Sequence, residues 1–264
     1  MIQSFDDFLE HLDIPSSCRL DKPVFKKLFL DNGVLDATDK KCLKDDISRV
    51  RWLYTLKPST INIAAYGDDI REYPEVAVLH VELSNASRAA RIAHFINRSI
   101  PYPLVLLFTA EIDGHTSMSI SLADKRINQA DKEKWVLEDS VHSGWLTFTD
   151  QSTSESEFMN SLKVTALPFT DFWRFYQALM ERVIAINCAI HSGDFKLDAL
   201  SINGGTSNQA VGRLEKLREL EKLDTQKAEI ANKLKKEKQM GRQVDLNTKV
   251  KNINDRIAEI KGSL

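Results

Sequence analysis

Apolar positions in the last fifty-odd residues recur at helical spacing. From Val211 to Lys238 the chain is dense in Leu, Lys, Glu and Ala, with Gly212 its only Gly or Pro. Its apolar stripe runs through Leu214, Leu217, Leu220 and Leu223, is interrupted by Lys227, and resumes at Ile230 and Leu234. A second run, from about Leu246 to Lys261, carries Leu246, Val250, Ile253, Ile257 and Ile260 at alternating spacings of four and three, the seam of a coiled-coil helix. Met240-Gly241-Arg242 reads as the break between the runs, with Gly241 as a permissive turn and Asp245 as the N-cap of the second helix. The pattern predicts an antiparallel helical hairpin over residues 211–264, its first arm about 40 Å long at ~1.5 Å per residue. The second arm is shorter, so part of the first stripe is expected to need another surface: the body, a second copy or a different subunit. Leu217, Leu220, Ile230 and Leu234, with Arg242 and Asn247 near the bend, are the candidate interaction residues. The plainer alternative is a hairpin that folds back and only caps its own body.

Upstream, residues 1–57 read as a small helical layer. Ser4 caps a short helix with Phe5, Phe8, Leu9 and Leu12 on its apolar face, and Pro15 ends it. Lys22-Pro23 opens another, with Phe25, Leu28 and Phe29 inward. Thr38-Asp39 caps a longer one carrying Leu43, Ile47, Val50 and Leu53. After Pro58 the pattern changes. Residues 59–66 read as a strand, Gly67-Asp68-Asp69 as a turn, and residues 75–83 (EVAVLHVEL) as the strongest strand of the chain. Ser84-Asn85 caps a helix lined by Ala89, Ile92, Ala93 and Ile96. Residues 104–108 (LVLLF) are a core strand, Asp113-Gly114 a hairpin turn, and residues 116–123 the returning strand. A helix between two strands fits a crossover joining parallel neighbours, hence a mixed sheet over residues 58–150. Residues 128–139 read as a helix, 143–148 as an edge strand and 151–157 as a polar loop. Residues 169–191 are a long apolar helix closed by Gly193-Asp194. The Gly-Gly stretch within 201–210 is a linker, separating a body of residues 1–200 from the hairpin. The fold class expected is therefore α+β: a mixed β-sheet body with packed helices and a C-terminal antiparallel helical hairpin.

Composition adds one asymmetry. The 264 residues carry a formal charge of only −2. Residues 209–264, however, hold fourteen Lys and Arg against nine Asp and Glu, a balance of +5, which leaves −7 on residues 1–208. A basic tail on an acidic body points to an acidic partner for the tail, protein or nucleic acid, although Lys/Glu-rich helices are also ordinary solvated surfaces. Cys18, Cys42 and Cys188 have neither metal-ligand nor CxxC spacing and fit reduced thiols in a cytoplasmic protein. No apolar run approaches the ~20 residues that span a bilayer, so no membrane contact is expected.

Catalytic signatures are sparse. The sequence contains no GxxxxGK[ST], GxSxG or HExxH, and its six His are scattered. No cofactor and no metal site are expected. The sharpest enzymatic alternative is a metal-dependent nuclease using Glu75, Glu82 and the acids Asp68 and Asp69, with Lys125-Arg126 as cations. Ser84 stands where such a site wants Lys. Nucleic-acid binding without chemistry needs only positive charge, and Lys233, Lys235, Lys236, Lys238 and Arg242 are candidate contacts, with Lys249, Lys251 and Arg256 on the second arm. The tail has no aromatic residue for base stacking.

The run Lys235-Lys236-Glu237-Lys238-Gln239-Met240-Gly241-Arg242-Gln243-Val244-Asp245-Leu246-Asn247 resembles the closing motif of an uncharacterised bacterial and archaeal family. Further likeness lies in Ile14-Pro15, Asp39-Lys40-Lys41, the spaced Trp52, Tyr54, Leu56, Pro58 and Thr60-Ile61-Asn62-Ile63, then Ile100-Pro101-Tyr102-Pro103, Lys125-Arg126 and Trp145. The resemblance implies a domain of unknown function whose genes sit beside helicase-related proteins and DNA methyltransferases in restriction-like or phage-defence islands. It carries over no catalytic residue. The combined expectation is a non-enzymatic accessory subunit of an anti-phage defence or restriction-modification-type complex, docking through its hairpin. Its partners would be protein subunits such as a helicase or DNA methyltransferase, or a second copy, with nucleic acid as a further candidate.

Overall fold

A computed structural model describes residues 2–33, 35–128, 135–197 and 208–264. In chain order the elements are α1 (Phe5–His11), β1 (Arg19–Pro23), α2 (Lys26–Asn32), α3 (Ala37–Asp45), β2 (Ile47–Leu56), α4 (Pro58–Ile61), β3 (Tyr66–Gly67), β4 (Glu72–Tyr73), β5 (Val76–Leu83), α5 (Ala89–Ser99), β6 (Leu104–Ile112), β7 (His115–Ile127), β8 (Trp135–His142), β9 (Leu146–Thr147), α6 (Thr153–Ser161), α7 (Phe172–Ser192), α8 (Asn208–Leu234) and α9 (Met240–Lys261). The fold is α+β, with a mixed sheet and a C-terminal pair of packed helices.

The seven-stranded sheet has the order β1-β2-β5-β6-β7-β8, and the short β9 also pairs with β7. All pairings are antiparallel except β5 with β6. That parallel pair is joined through α5, the expected crossover. Both faces of the central strands are covered, which is why β5 and β6 read as almost continuous apolar runs. On one face Val76, Val78, Val105, Leu107, Ile120 and Leu122 pack beneath α1, α6 and α7. On the other, Ala77, Leu79, Val81, Leu106 and Phe108 pack beneath α2, α3 and α5. α7 is fixed at both ends: Asp171 Oδ1 accepts from Arg174 N, and Gly193 closes the helix at φ +84°.

Several local expectations are corrected. Residues 1–57 are not an all-helical layer, because β1 and β2 lie within them. Ile47, Val50 and Leu53 sit in a strand. The β2–β5 register shifts between Ile47 and Arg49, which puts Ile47 and Val50 on one face, while Leu53 is buried in the core on the other; with both faces covered, the apolar positions fall three apart and imitate a helix. The helix expected at Lys22-Pro23 starts at Lys26, and Phe25 is 74% exposed while Phe29 is buried. Residues 59–66 hold the last three residues of the four-residue α4 and only the start of a strand. Trp135 to Asp139 belong to a strand paired with β7, and residues 129–134 of that expected helix lie outside the described residues. Residues 151–157 are not a loop: Ser152 and Glu155 form a capping box that starts α6.

The last helices form the expected hairpin. Arg256 pairs with Glu219 near the base and Arg242 approaches Glu237 at the bend, which fixes an antiparallel arrangement. The bend lies at residues 235–239, earlier than Gly241, and Gly241 and Asp245 are both inside α9, with Gln239 at its N-cap position. Most of the expected linker, residues 201–207, lies outside the described residues, and the chain is helical from Asn208. Leu220 packs with Ile257 and Ile260 at the centre of the base. Leu220→Ala should cost about 2–4 kcal/mol, the range for emptying a buried Leu site, in a urea-unfolding comparison with the wild type. Among the described residues no helix is long and apolar enough to cross a membrane.

Candidate functional site

The hairpin divides into a docked base and a projecting distal part. At the base, Leu217 is buried in the body's core and Leu214 packs against it. Arg218 pairs with Asp139 on β8 at 2.6 Å, Arg213 Nη1 donates to the Lys196 carbonyl at 3.2 Å, and Lys216 Nζ to the Ser263 carbonyl at 2.8 Å. The apolar stripe expected to be left over is thus covered within the chain. The first arm's surplus length lies on the body, and Leu217 and Leu220 hold the hairpin in place rather than facing solvent. Ile230 and Leu234 are half-buried farther out, as are Leu246 and Val250 on the second arm.

The bend is built on Glu237. Its carboxylate accepts from the backbone N–H of Lys238 and Gln239, both at 2.9 Å, and its carbonyl accepts from Gln243 Nε2 at 2.7 Å. The Gln239 N–H, with the Lys238 N–H and the nearby Arg242 guanidinium, holds this carboxyl below the usual range. Arg242 stands 3.9 Å from Glu237 and is exposed; Asn247 is exposed on α9. The bend is therefore organised by Glu237 and Gln243, residues that helical periodicity alone does not single out.

Around that bend the cations gather. Lys233, Lys236, Arg242 and Lys249 line one shallow groove with Glu237, Asp245 and Leu246. Lys235 and Lys238 are exposed beside it, and Met240 and Val244 are the large apolar side chains left in solvent there. The charge is segregated along the hairpin. Residues 209–226 hold four basic and four acidic side chains, and residues 252–264 two and two. Residues 227–251 hold eight basic and three acidic, so the whole +5 of the tail sits on its distal part.

The residues considered for nuclease chemistry are not brought together. Glu82 pairs with Arg49 at 2.8 Å and Glu75 lies 3.7 Å from Lys57. Asp68 accepts from Tyr66 Oη and from the Ile70 and Arg71 backbone, which shapes the β3–β4 turn. Lys125 is buried, with Nζ 2.6 Å from both the Ile100 and Tyr102 carbonyls, and burial drives its pKa far down. Among the described residues no group of three or more His, Cys, Asp or Glu is placed to hold a metal ion.

A polar network to which no sequence motif points lies on the opposite side of β7 from Lys125. Asp124 is buried and accepts from Arg71 at 2.8 Å and from Tyr73 Oη at 2.8 Å. Arg71 also reaches Glu138 at 2.5 Å, and its guanidinium lies 4.6 Å from the Trp173 ring centre. One signal does exist: Asp124 follows Met118, Ile120 and Leu122 at the inward period of a strand. The network ties the β3–β4 hairpin to β7, β8 and α7.

No curated protein and no solved structure matches the chain. A family match runs almost end to end, from the residues just after α1 into the last turns of α9, and takes in both the sheet and the distal hairpin. The chain belongs to the DUF4391 family, described as a domain of unknown function, over residues 12–257.

Proposed function

We propose that the protein is a non-catalytic accessory subunit of a bacterial anti-phage defence or restriction-modification-type complex, and that the hairpin is the arm by which it docks. The observation that carries this reading is the division of the hairpin: its base is neutral and fastened to the body, whereas its far part projects with a net excess of five positive charges. A helix pair needed only to cap a core has no use for such a part. The setting in a defence or restriction complex rests on the resemblance of residues 235–247 and the upstream motifs, and helicase-related or methyltransferase subunits are the first partners to test.

Tagged protein is purified from its native host, beside a variant carrying Lys233→Gln, Lys236→Gln, Arg242→Gln and Lys249→Gln. All four side chains are exposed, so the thermal midpoint should stay within a few degrees of the wild type. The wild type is expected to retain a stoichiometric partner that the variant loses. Equal recovery of that partner by both, or none by the wild type, overturns the reading.

A further inference from the structure

We infer that the distal hairpin docks along the phosphate backbone of duplex DNA. This rests on the hairpin being the docking arm and gives the surface it meets a chemical identity.

Four observations converge on it. First, the ion pairs of the hairpin arms concentrate at the base, where Arg218 has Asp139, and Arg256 has Glu219 and Glu259. Among the described residues, Lys227, Lys233, Lys235, Lys236, Lys238, Lys249 and Lys251 make no ion pair, and Arg242 has only the 3.9 Å approach to Glu237. Glu237 itself is taken up by the backbone of the bend.

Second, the helix dipole does not account for the cations on α9. The first turn of α9 has no acidic residue and contains Arg242, where the positive end of the helix dipole disfavours a cation. Lys233, at the end of α8, does sit favourably. The cations on α9 do not share that explanation.

Third, the composition separates the kinds of partner. Seven of the eight basic side chains in residues 227–251 are Lys, and residues 209–264 contain no aromatic residue. The centres of protein interfaces favour Arg and aromatic residues and are poor in Lys. Single-strand binding uses rings as stacking platforms. Phosphate contact asks only for mobile positive charge, which Lys supplies.

Fourth, the dimensions suit a backbone contact. One helix with its side chains is about 10 Å across and fills a major groove about 12 Å wide. Two paired arms exceed that width, so the hairpin lies across the backbone ridges and reads no base edges. The body's balance of −7 keeps it turned away from the polyanion, so the arm approaches with its far end first.

The experiment is fluorescence anisotropy with the full chain and a labelled random-sequence 25-bp DNA duplex, titrated between 50 and 200 mM KCl. The wild type is expected to bind without sequence preference, with affinity falling steeply as salt rises. Replacing Lys233, Lys236, Arg242 and Lys249 with Gln should lower the log–log salt slope by about four, near one for each phosphate no longer neutralised. Lys236→Gln/Lys249→Gln should lower it by about two, which keeps the test intact if the fourfold variant folds poorly. Lys222→Gln/Lys261→Gln, outside the distal part, should leave it unchanged. Absence of duplex binding at 50 mM salt, an unchanged slope in the fourfold variant, or preference for single-stranded DNA or duplex RNA of equal length overturns the inference. Absence of DNA binding together with loss of the native-host partner in the fourfold variant would refute the DNA assignment and leave the docking arm standing. DNA binding with unaltered partner recovery would do the reverse.

Discussion

Acidification from pH 7 to pH 4.5 should remove several kcal/mol of stability, and two histidines on the sheet should account for most of the loss. Burial pushes the pKa of His80 and of His142 from the ordinary 6.5 down to about 4. His80 lies face to face with Phe5 at 4.3 Å, with Nε2 2.7 Å from Thr109 Oγ1. His142 Nε2 is 3.1 Å from Ser119 Oγ, and Nδ1 is buried without a partner, so a proton there would have no acceptor. For both groups the folded-state pKa lies below the unfolded value. Their stabilising effect is complete above pH 6.5 and is lost as pH falls through about 4, because the unfolded chain takes up the protons first. By pH 4.5 each group can lose at most about 2.7 kcal/mol, two units at 1.36 kcal/mol; both rings are half-buried and will deliver less, so about 3–4 kcal/mol for the pair is expected. Against a typical total of about 5–15 kcal/mol this is a large share. Urea midpoints at pH 7, 5.5 and 4.5 measure it, and His142→Gln should flatten the profile. Carboxyls held low by partners, such as Asp21 beside Arg19 and Arg51 and Glu219 beside Arg256, lose their contribution only at the acid end of this range and below, where they begin to protonate. A midpoint that stays level between pH 7 and pH 5 would sink the prediction.

Asp124→Ala is expected to destabilise the fold by about 3–5 kcal/mol, the cost of removing one member of a buried ion pair. The carboxylate is the shared acceptor of Arg71 and Tyr73 Oη. Its loss strands a buried phenol and leaves Arg71 with the half-exposed Glu138 as its remaining charge partner. The thermal midpoint should drop by roughly 10 °C, taking about 2–4 °C per kcal/mol for a chain of this size. Because Arg71 and Asp124 act together, Arg71→Ala added to Asp124→Ala should cost far less than the two single effects summed. A loss below about 0.5 kcal/mol for Asp124→Ala, as for an ordinary surface site, would show that the network does not hold the β3–β4 hairpin in place.

The elements legible in the sequence are those that carry one plain signal along their length. β5 and β6 do so as apolar runs, residues 116–123 of β7 by alternation, and the crossover helix with Ile92 and Ile96, the long α7 and the α9 seam by helical spacing. Misreadings cluster where the period is broken or hidden. In β2 a bulge together with burial on both faces spaces Ile47, Val50 and Leu53 like a helix. α6 carries a capping box, Ser152 with Glu155, inside a segment too polar to show a strong stripe. The site is legible in part. The basic cluster can be counted, and Lys233, Lys236 and Arg242 do share a groove. Whether Leu217 and Leu220 face solvent does not follow from spacing, because an apolar stripe looks the same whether its cover is the chain's own body or another molecule. Asp124 escapes notice because a strand acid is usually assigned to the solvent side, and only its register with Leu122 argues otherwise.

The grip between the two arms weakens with distance from the body. Leu220, Ile257 and Ile260 are sealed at the root, whereas Ile230, Leu234, Leu246 and Val250 are half-covered and Lys227 replaces an apolar residue between Leu223 and Ile230. Local opening costs less where less apolar surface is sealed. The arm therefore has a stiff shoulder and a compliant forearm, and it can flex to follow a curved surface while its anchorage stays intact.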